Sequence, residues 1–336
     1  MNKLAKIGAT ALCGSLAAVS ANAGDLTVSG GADLTWVSKE KAVVGQPIGM
    51  GSNMTFSGSG ELENGWTVDL SIAHANAAAY SNTNVTIGLP GFGDVRIDQG
   101  TSGTGIQRMD DITPTVWEEA DGGITAGINK IMGTSAGGTI EVTPSSDVVP
   151  AGLTMRLAYS KDADSGVNVN DKGTGGASGA AGSGWDLTAT LTSDLHGVDG
   201  LTIYGGISEV EQFQNAGAVN GDREEDVYGI KYAWGSFTAG WQQSTEETGL
   251  TATAEYENTA YGITFQVNDD LSIGYNHVES DKSGTANDPE ADSYQIAYTM
   301  GGASIRLMEQ QVENQTYSSA ATADFDATIL SLGLAF

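Results

Sequence analysis

One property constrains this chain more than any other: along most of its length, apolar and polar residues alternate strictly. Trp66, Val68, Leu70 and Ile72 alternate with Thr67, Asp69, Ser71 and Ala73. Trp185, Leu187, Ala189 and Leu191 alternate with Asp186, Thr188, Thr190 and Thr192. Leu153–Tyr159 and Tyr294–Met300 repeat the pattern. A period of two places one set on each face of a strand. The helical period is nearly absent. The one short helix it predicts is Pro114–Ala120, where Thr113 could cap and Pro114 could take the first helical position.

Cutting the chain at its turn signals predicts sixteen strands, over residues 25–37, 52–61, 66–75, 82–89, 94–98, 138–143, 152–160, 184–192, 201–211, 224–234, 236–245, 252–267, 271–280, 291–300, 303–314 and 324–336. The fifth and sixth are too short as drawn and are expected to extend. The connections alternate between long and short. Gly235, residues 268–270 and Gly301-Gly302 make tight hairpins, whereas residues 99–137 form the longest link. A soluble sandwich has no reason to sort its loops by parity. A membrane barrel does, with short periplasmic turns at one rim and long external loops at the other.

Composition fits that reading. Asp and Glu number 42 against 14 Lys and Arg, a formal net charge of −28, which argues against nucleic acid as a partner. The single Cys builds neither a disulfide framework nor a Cys-based zinc site. Mean hydropathy is −0.15, and no run of about 18 apolar residues could form a membrane helix. A barrel needs none, because its backbone is satisfied between strands and half of each strand faces water. An interior as wide as sixteen strands make cannot be filled by side chains, so it is an aqueous channel. Trp66, Trp234, Phe237 and Phe336 fall at short connections or the chain end, and Trp36, Tyr159 and Trp185 beside long loops, as interfacial aromatic girdles require.

Residues 1–23 read as a cleavable secretory signal: Lys3 and Lys6, an apolar stretch from Ile7 to Val19, then Ala21-Asn22-Ala23. Residues 24–336 are the expected barrel.

Parity assigns the wall charges. Arg96, Arg156, Lys231 and Arg306 lie opposite the apolar set, as do the acids Asp33, Glu61, Asp69, Asp94, Asp98 and Asp186. On the lipid face a basic side chain would cost about 2–4 kcal/mol at the midplane, so the lumen is the reasonable place for it. Carboxylates facing a few cations across a narrow pore set ion preference, and the acidic excess predicts that cations are favoured. The external loops are acidic too: Asp162, Asp164 and Asp171 share one, and Asp281, Asp288, Glu290 and Asp292 cluster at another. They are either a solvated rim or a hard-cation site, for Ca²⁺ or for divalent bridging to lipopolysaccharide. No other cofactor is expected.

Four pieces carry a resemblance: Gly24-Asp25-Leu26-Thr27-Val28-Ser29-Gly30, Asn64-Gly65-Trp66-Thr67-Val68, Gly91-Phe92-Gly93-Asp94-Val95-Arg96 before the longest loop, and the alternating end Ile329–Phe336. In this order they resemble the Gram-negative general porin family, in its alphaproteobacterial and marine form. The resemblance implies an all-β, sixteen-stranded antiparallel transmembrane barrel in the outer membrane. It further implies a homotrimer, a third long loop (residues 99–137) folded into the lumen as a constriction, and a terminal aromatic, Phe336, read by the barrel-assembly machinery. The constriction would then carry Arg108, Asp110, Asp111, Glu118, Glu119 and Asp121, facing a wall with Arg96, Arg156, Lys231, Arg306, Asp94 and Asp98. The acidic excess is large for the family.

The expected function is passive diffusion of small hydrophilic solutes and ions through a water-filled pore. Two alternatives stand: a substrate-selective channel, and a secreted acidic structural or adhesive β-protein. The second would leave loop parity and the rim aromatics unexplained. An enzyme is not expected: His74, His196 and His277 lack metal-ligand spacing, and Ser193 and His196 sit in a short turn at the periplasmic rim.

Overall fold

The computed structural model describes residues 26–40, 46–76, 82–99, 103–110, 112–135, 137–163, 181–212, 219–250 and 255–335. Sixteen strands form one closed antiparallel barrel: β1 (Thr27–Lys39), β2 (Ile48–Glu61), β3 (Thr67–Ala75), β4 (Asn82–Leu89), β5 (Gly93–Asp98), β6 (Thr139–Pro144), β7 (Leu153–Ser160), β8 (Ala181–Leu191), β9 (Leu201–Gln212), β10 (Arg223–Trp234), β11 (Phe237–Glu247), β12 (Glu255–Gln266), β13 (Leu271–Lys282), β14 (Glu290–Met300), β15 (Ala303–Glu313) and β16 (Phe325–Ala335). Each strand pairs with the next in sequence, and β16 closes on β1 with Leu34 opposite Leu332 and Trp36 opposite Leu330. Among the described residues no helix is long and apolar enough to cross a membrane, and closure leaves no unpaired edge.

The period-two pattern explains which side faces out. Rows such as Tyr261-Ile263-Phe265 and Tyr294-Ile296-Tyr298 point outward, whereas Asn258-Ala260-Gly262 points inward. Aromatics gather at the rims: Tyr159 stands directly across from Trp185, and Tyr232, Trp234, Phe237 and Phe265 stack in series around the tight turn after β10. The outer surface differs between the two halves of the barrel. Among the described residues, the outward rows of β1–β8 carry no Asp, Glu, Lys or Arg. On β9–β16 the apolar rows end, toward the long loops, in carboxylates such as Glu209, Asp226, Glu257, Glu279, Asp292 and Glu309.

Three expectations fail. First, β5 and β6 do not extend to a spanning length; β5 gains only Gly93, and each has 6 residues, short of the roughly 9–11 that a spanning strand takes. The chain leaves the wall at this point: Thr139 Oγ1 donates to the carbonyls of Thr134 and Gly137, turning the return of the long loop into the lumen. Second, β2 begins at Ile48, not at 52, because Trp36 pairs with Ile48. Third, residues 114–120 are not helical. Backbone N–H groups in this stretch are taken by wall side chains: Trp117 N–H donates to Gln295 Oε1 (2.9 Å) and Ala120 N–H to Asn276 Oδ1 (2.7 Å). Among the described residues the helices are a 3-10 turn at Gly105–Met109, a four-residue helix at Ser193–His196 and a 3-10 turn at Gln315–Tyr317. The signal segment 1–23, Cys13, Asp111, Asp164, Asp171 and Phe336 lie outside the described residues.

Candidate functional site

The third long connection, between β5 and β6, lies inside the barrel. A backbone without regular structure must find partners elsewhere, and here the wall supplies them strand by strand. Glu141 on β6 accepts from Gly105 N–H (2.8 Å), and Asp186 on β8 from Ile106 N–H (3.2 Å) and from the N–H and hydroxyl of Thr134 (3.1 and 2.8 Å). Glu225 on β10 accepts from Met132 and Gly133 N–H (3.0 and 2.6 Å). Farther round, Asn258 on β12 donates to the Asn129 carbonyl, and Gln310 on β15 accepts from Ile124 N–H and donates to the Ala120 carbonyl. Only Asp186 among these wall residues stands out in the sequence as an inward acid. The signal for the others is their inward parity alone.

Packing completes the attachment. Ile106, Met109 and Ile131 bury against Tyr204 and Val227, and Ala120 and Ala126 against Ala260, Val278, Val312 and Phe325. Between these clusters the loop passes over glycines on successive strands. A Cβ on Gly240 would stand 2.6 Å from Pro114 Cδ, one on Gly262 2.2 Å from the Pro114 carbonyl oxygen, and one on Gly274 2.7 Å from Val116 Cγ2. The wall must be bare here for the segment to lie flat.

The charged residues sort into two groups. On the β5–β7 side, Arg108 makes a two-pronged pair with Glu141 (3.0 and 2.6 Å) and Arg96 pairs with Asp98 (2.7 Å). Arg156 is in electrostatic reach of Arg108 and Glu141. Lys130, on the loop, pairs with Glu119 (2.6 Å) and Asp121 (3.3 Å) beside Asp110. Burial alone would lower the Lys130 pKa, but Asp121 and Glu119 outweigh it and hold the ammonium above its ordinary value. On the β1/β15 side, Arg306 pairs with Asp33 (2.5 Å) and lies over the Trp117 ring (5.2 Å). Glu118 stands near both charges. Its pKa is raised, first by burial, with Arg306 opposing and Asp33 reinforcing. Next to this group lies a cavity of 530 Å³, lined by Asp33, Asn53, Ser304 and Arg306 among others.

Two wall residues stand apart. Lys231 faces the lumen opposite Gly240 and Thr202, and Asp94 is exposed near the base of β5 opposite Thr143. Asp110, Glu118, Glu119, Asp121 and Arg108 are all on the loop, and the structure brings Arg108, Arg96 and Asp98 to one wall.

A closed barrel with an apolar outside, a polar inside and a loop across its bore is the geometry of one family in particular, and the model of the Gram-negative porin family matches residues 8–332. The chain belongs to that family. Solved porins share its fold. OmpF of Salmonella typhi, in a complex with daunomycin, is 13% identical, with 93% of this chain and 97% of that chain covered and a TM-score of 0.67. The anion-selective porin from Comamonas acidovorans is also 13% identical, with 93% and 99% covered and a TM-score of 0.65. A mutant of Rh. blastica porin matches at 13% identity, with 93% and 100% covered and a TM-score of 0.58. No curated protein matches the chain. This porin is an outer-membrane channel for passive diffusion of small hydrophilic solutes.

Proposed function

We propose that this porin prefers cations, with its eyelet between the carboxylates of the loop (Asp110, Asp111, Glu118, Glu119 and Asp121) and the cations of the wall. One observation carries the reading. The lumen bases Arg96, Arg108, Lys130, Arg223 and Arg306 are each held in an ion pair; among the described residues none reaches the bases Arg156 and Lys231, and none reaches the more numerous carboxylates Asp69, Asp94, Glu118 and Glu246. Paired charges largely cancel at a distance, so the unpaired carboxylates set the sign of the potential a permeating ion meets. The fold does not decide this sign, since the Comamonas acidovorans channel of the same architecture is described as anion-selective. The test is the reversal potential in planar bilayers under a salt gradient. A cation-selective sign is expected, and an anion-selective sign would overturn the proposal.

The assembly we favour is a homotrimer packed through the outer wall of β1–β8, centred on the low rim at β4–β6. The support is that wall's lack of charge together with its short strands, 6 residues each in β5 and β6. Self-association covers such a surface in many oligomers. Migration as an SDS-resistant, heat-dissociable trimer is the measurement. Recognition of Phe336 by the barrel-assembly machinery, contact with lipopolysaccharide and export through residues 1–23 belong to the same reading.

A further inference from the structure

The outer wall of β13 and β14 holds a cluster that the channel does not use. His277, on β13, faces outward where the apolar row gives way to carboxylates, yet its side chain is only 6% exposed. Its Nδ1 lies 3.0 Å from Asp292 Oδ1 and 3.8 Å from Glu290 Oε1, both on β14, and the three ligand atoms all fall within 4.8 Å of one another. A tetrahedral ion with bonds of 2.0–2.1 Å spaces its ligands about 3.3 Å apart, a distance the two measured separations bracket. Glu290 is 45% exposed at the start of its strand and can close the longer gap by rotation.

The surroundings are those of a supported ligand set. On the far side of the ring, Nε2 faces Glu279 Oε2 at 3.7 Å, the arrangement in which a carboxylate orients a metal-bound imidazole. Tyr261 stacks on the ring at 4.5 Å and fixes its plane. The Tyr275 hydroxyl donates to Asp292 Oδ1 at 2.5 Å, fixing that carboxylate as well. Two carboxylates alone would suit a hard cation, which is what the acidic pattern around Asp281, Asp288, Glu290 and Asp292 predicts. An imidazole nitrogen in the set shifts the preference toward first-row transition ions and zinc.

We propose that His277, Asp292 and Glu290 form a binding site for a divalent metal ion of the zinc class. The site lies on the outer wall, Glu279 and Tyr275 orient its ligands, and its open position faces the lipid headgroups. Bound there, the ion cross-links β13 to β14 just below their external loop.

The test is a Co²⁺ titration, read by visible absorption, of the full chain purified folded from outer membranes. One Co²⁺ per chain with the bands of a tetrahedral site is expected, displaced by Zn²⁺ and not by Ca²⁺. His277→Gln should abolish the bands, while His74→Gln and His196→Gln leave them. Glu279→Gln should weaken binding about 10–100-fold. If His277→Gln does not reach the heat-modifiable folded form, the Glu290→Gln/Asp292→Asn double variant gives the same readout. Absence of the bands in the parent, their persistence in the variants, or displacement by Ca²⁺ as readily as by Zn²⁺ would each overturn the proposal.

Discussion

The two halves of this barrel use the same alternation for opposite ends. Along β1–β8 the outward rows are uncharged from rim to rim among the described residues, and the inward face is open around Asp33 and Asn53 on β1 and β2, although Glu141 on β6 and Asp186 on β8 are buried under the loop. Along β9–β16 the outward rows end in carboxylates, and much of the inward face is packed against the loop. The comparison teaches that the outer face of each sector follows its own sequence and not what covers it inside, since β8 carries the loop within and no charge without.

The largest effect should come from charging the dry half. Leu70→Lys puts an ammonium on the outer row of β3, at a cost of about 2–4 kcal/mol for a site near the bilayer midplane. Loss of the SDS-resistant trimer is expected, whereas Gln243→Lys in the acidic half should keep it. Equal behaviour of the two variants would break the contrast between the walls.

Next is the attachment of the loop at β8, where the dry half meets the packed half. Asp186→Ala leaves the buried N–H groups of Ile106 and Thr134 without their acceptor, at about 1–3 kcal/mol for each unsatisfied group. A lower melting temperature and noisier single-channel current are expected. A quiet channel with unchanged melting would mean that packing alone holds the loop.

Smaller still is the selectivity change. Glu118→Gln should reduce cation preference in a salt gradient without changing its sign. The parent should also show a pH dependence with a definite direction. The raised pKa of Glu118 means that it protonates before an ordinary glutamate does as pH falls. Cation preference should therefore begin to decline above the ordinary Glu range in the parent and only at lower pH in the Gln variant. Identical profiles would place Glu118 away from the ion path. The mildest change is Gly262→Ala, whose added methyl meets the Pro114 carbonyl; a modest fall in conductance is expected, with selectivity kept.

Much of the barrel is legible in the sequence because its cause is local. Tyr294, Ile296 and Tyr298 must all face one way, so a strand can be read from a few letters, and β4 falls on the predicted residues 82–89. The path of the loop is not legible. Thr113-Pro114 carries a helix-start signal, and what cancels it is Gln295 and Asn276, more than a hundred residues away. The shortness of β5 and β6 escapes for a related reason: Ile97 and Ile140 have ordinary strand parity, and the break comes from the inward turn at Thr139. Of the charged residues, parity alone puts Arg306 and Asp33 on the same face, but nothing in the sequence shows that they touch, since the contact exists only because β16 closes on β1.

The glycines beneath Pro114 and Val116 have an evolutionary corollary. The calibre of this sieve is fixed by side chains that are missing, at positions carrying no charge, while the cation preference proposed for it rests on carboxylates elsewhere. Single-base changes at Gly240, Gly262 or Gly274 can therefore narrow or reshape the mesh without altering which ions it admits. A lineage under pressure from a bulky toxin could exclude it and still feed on the same salts.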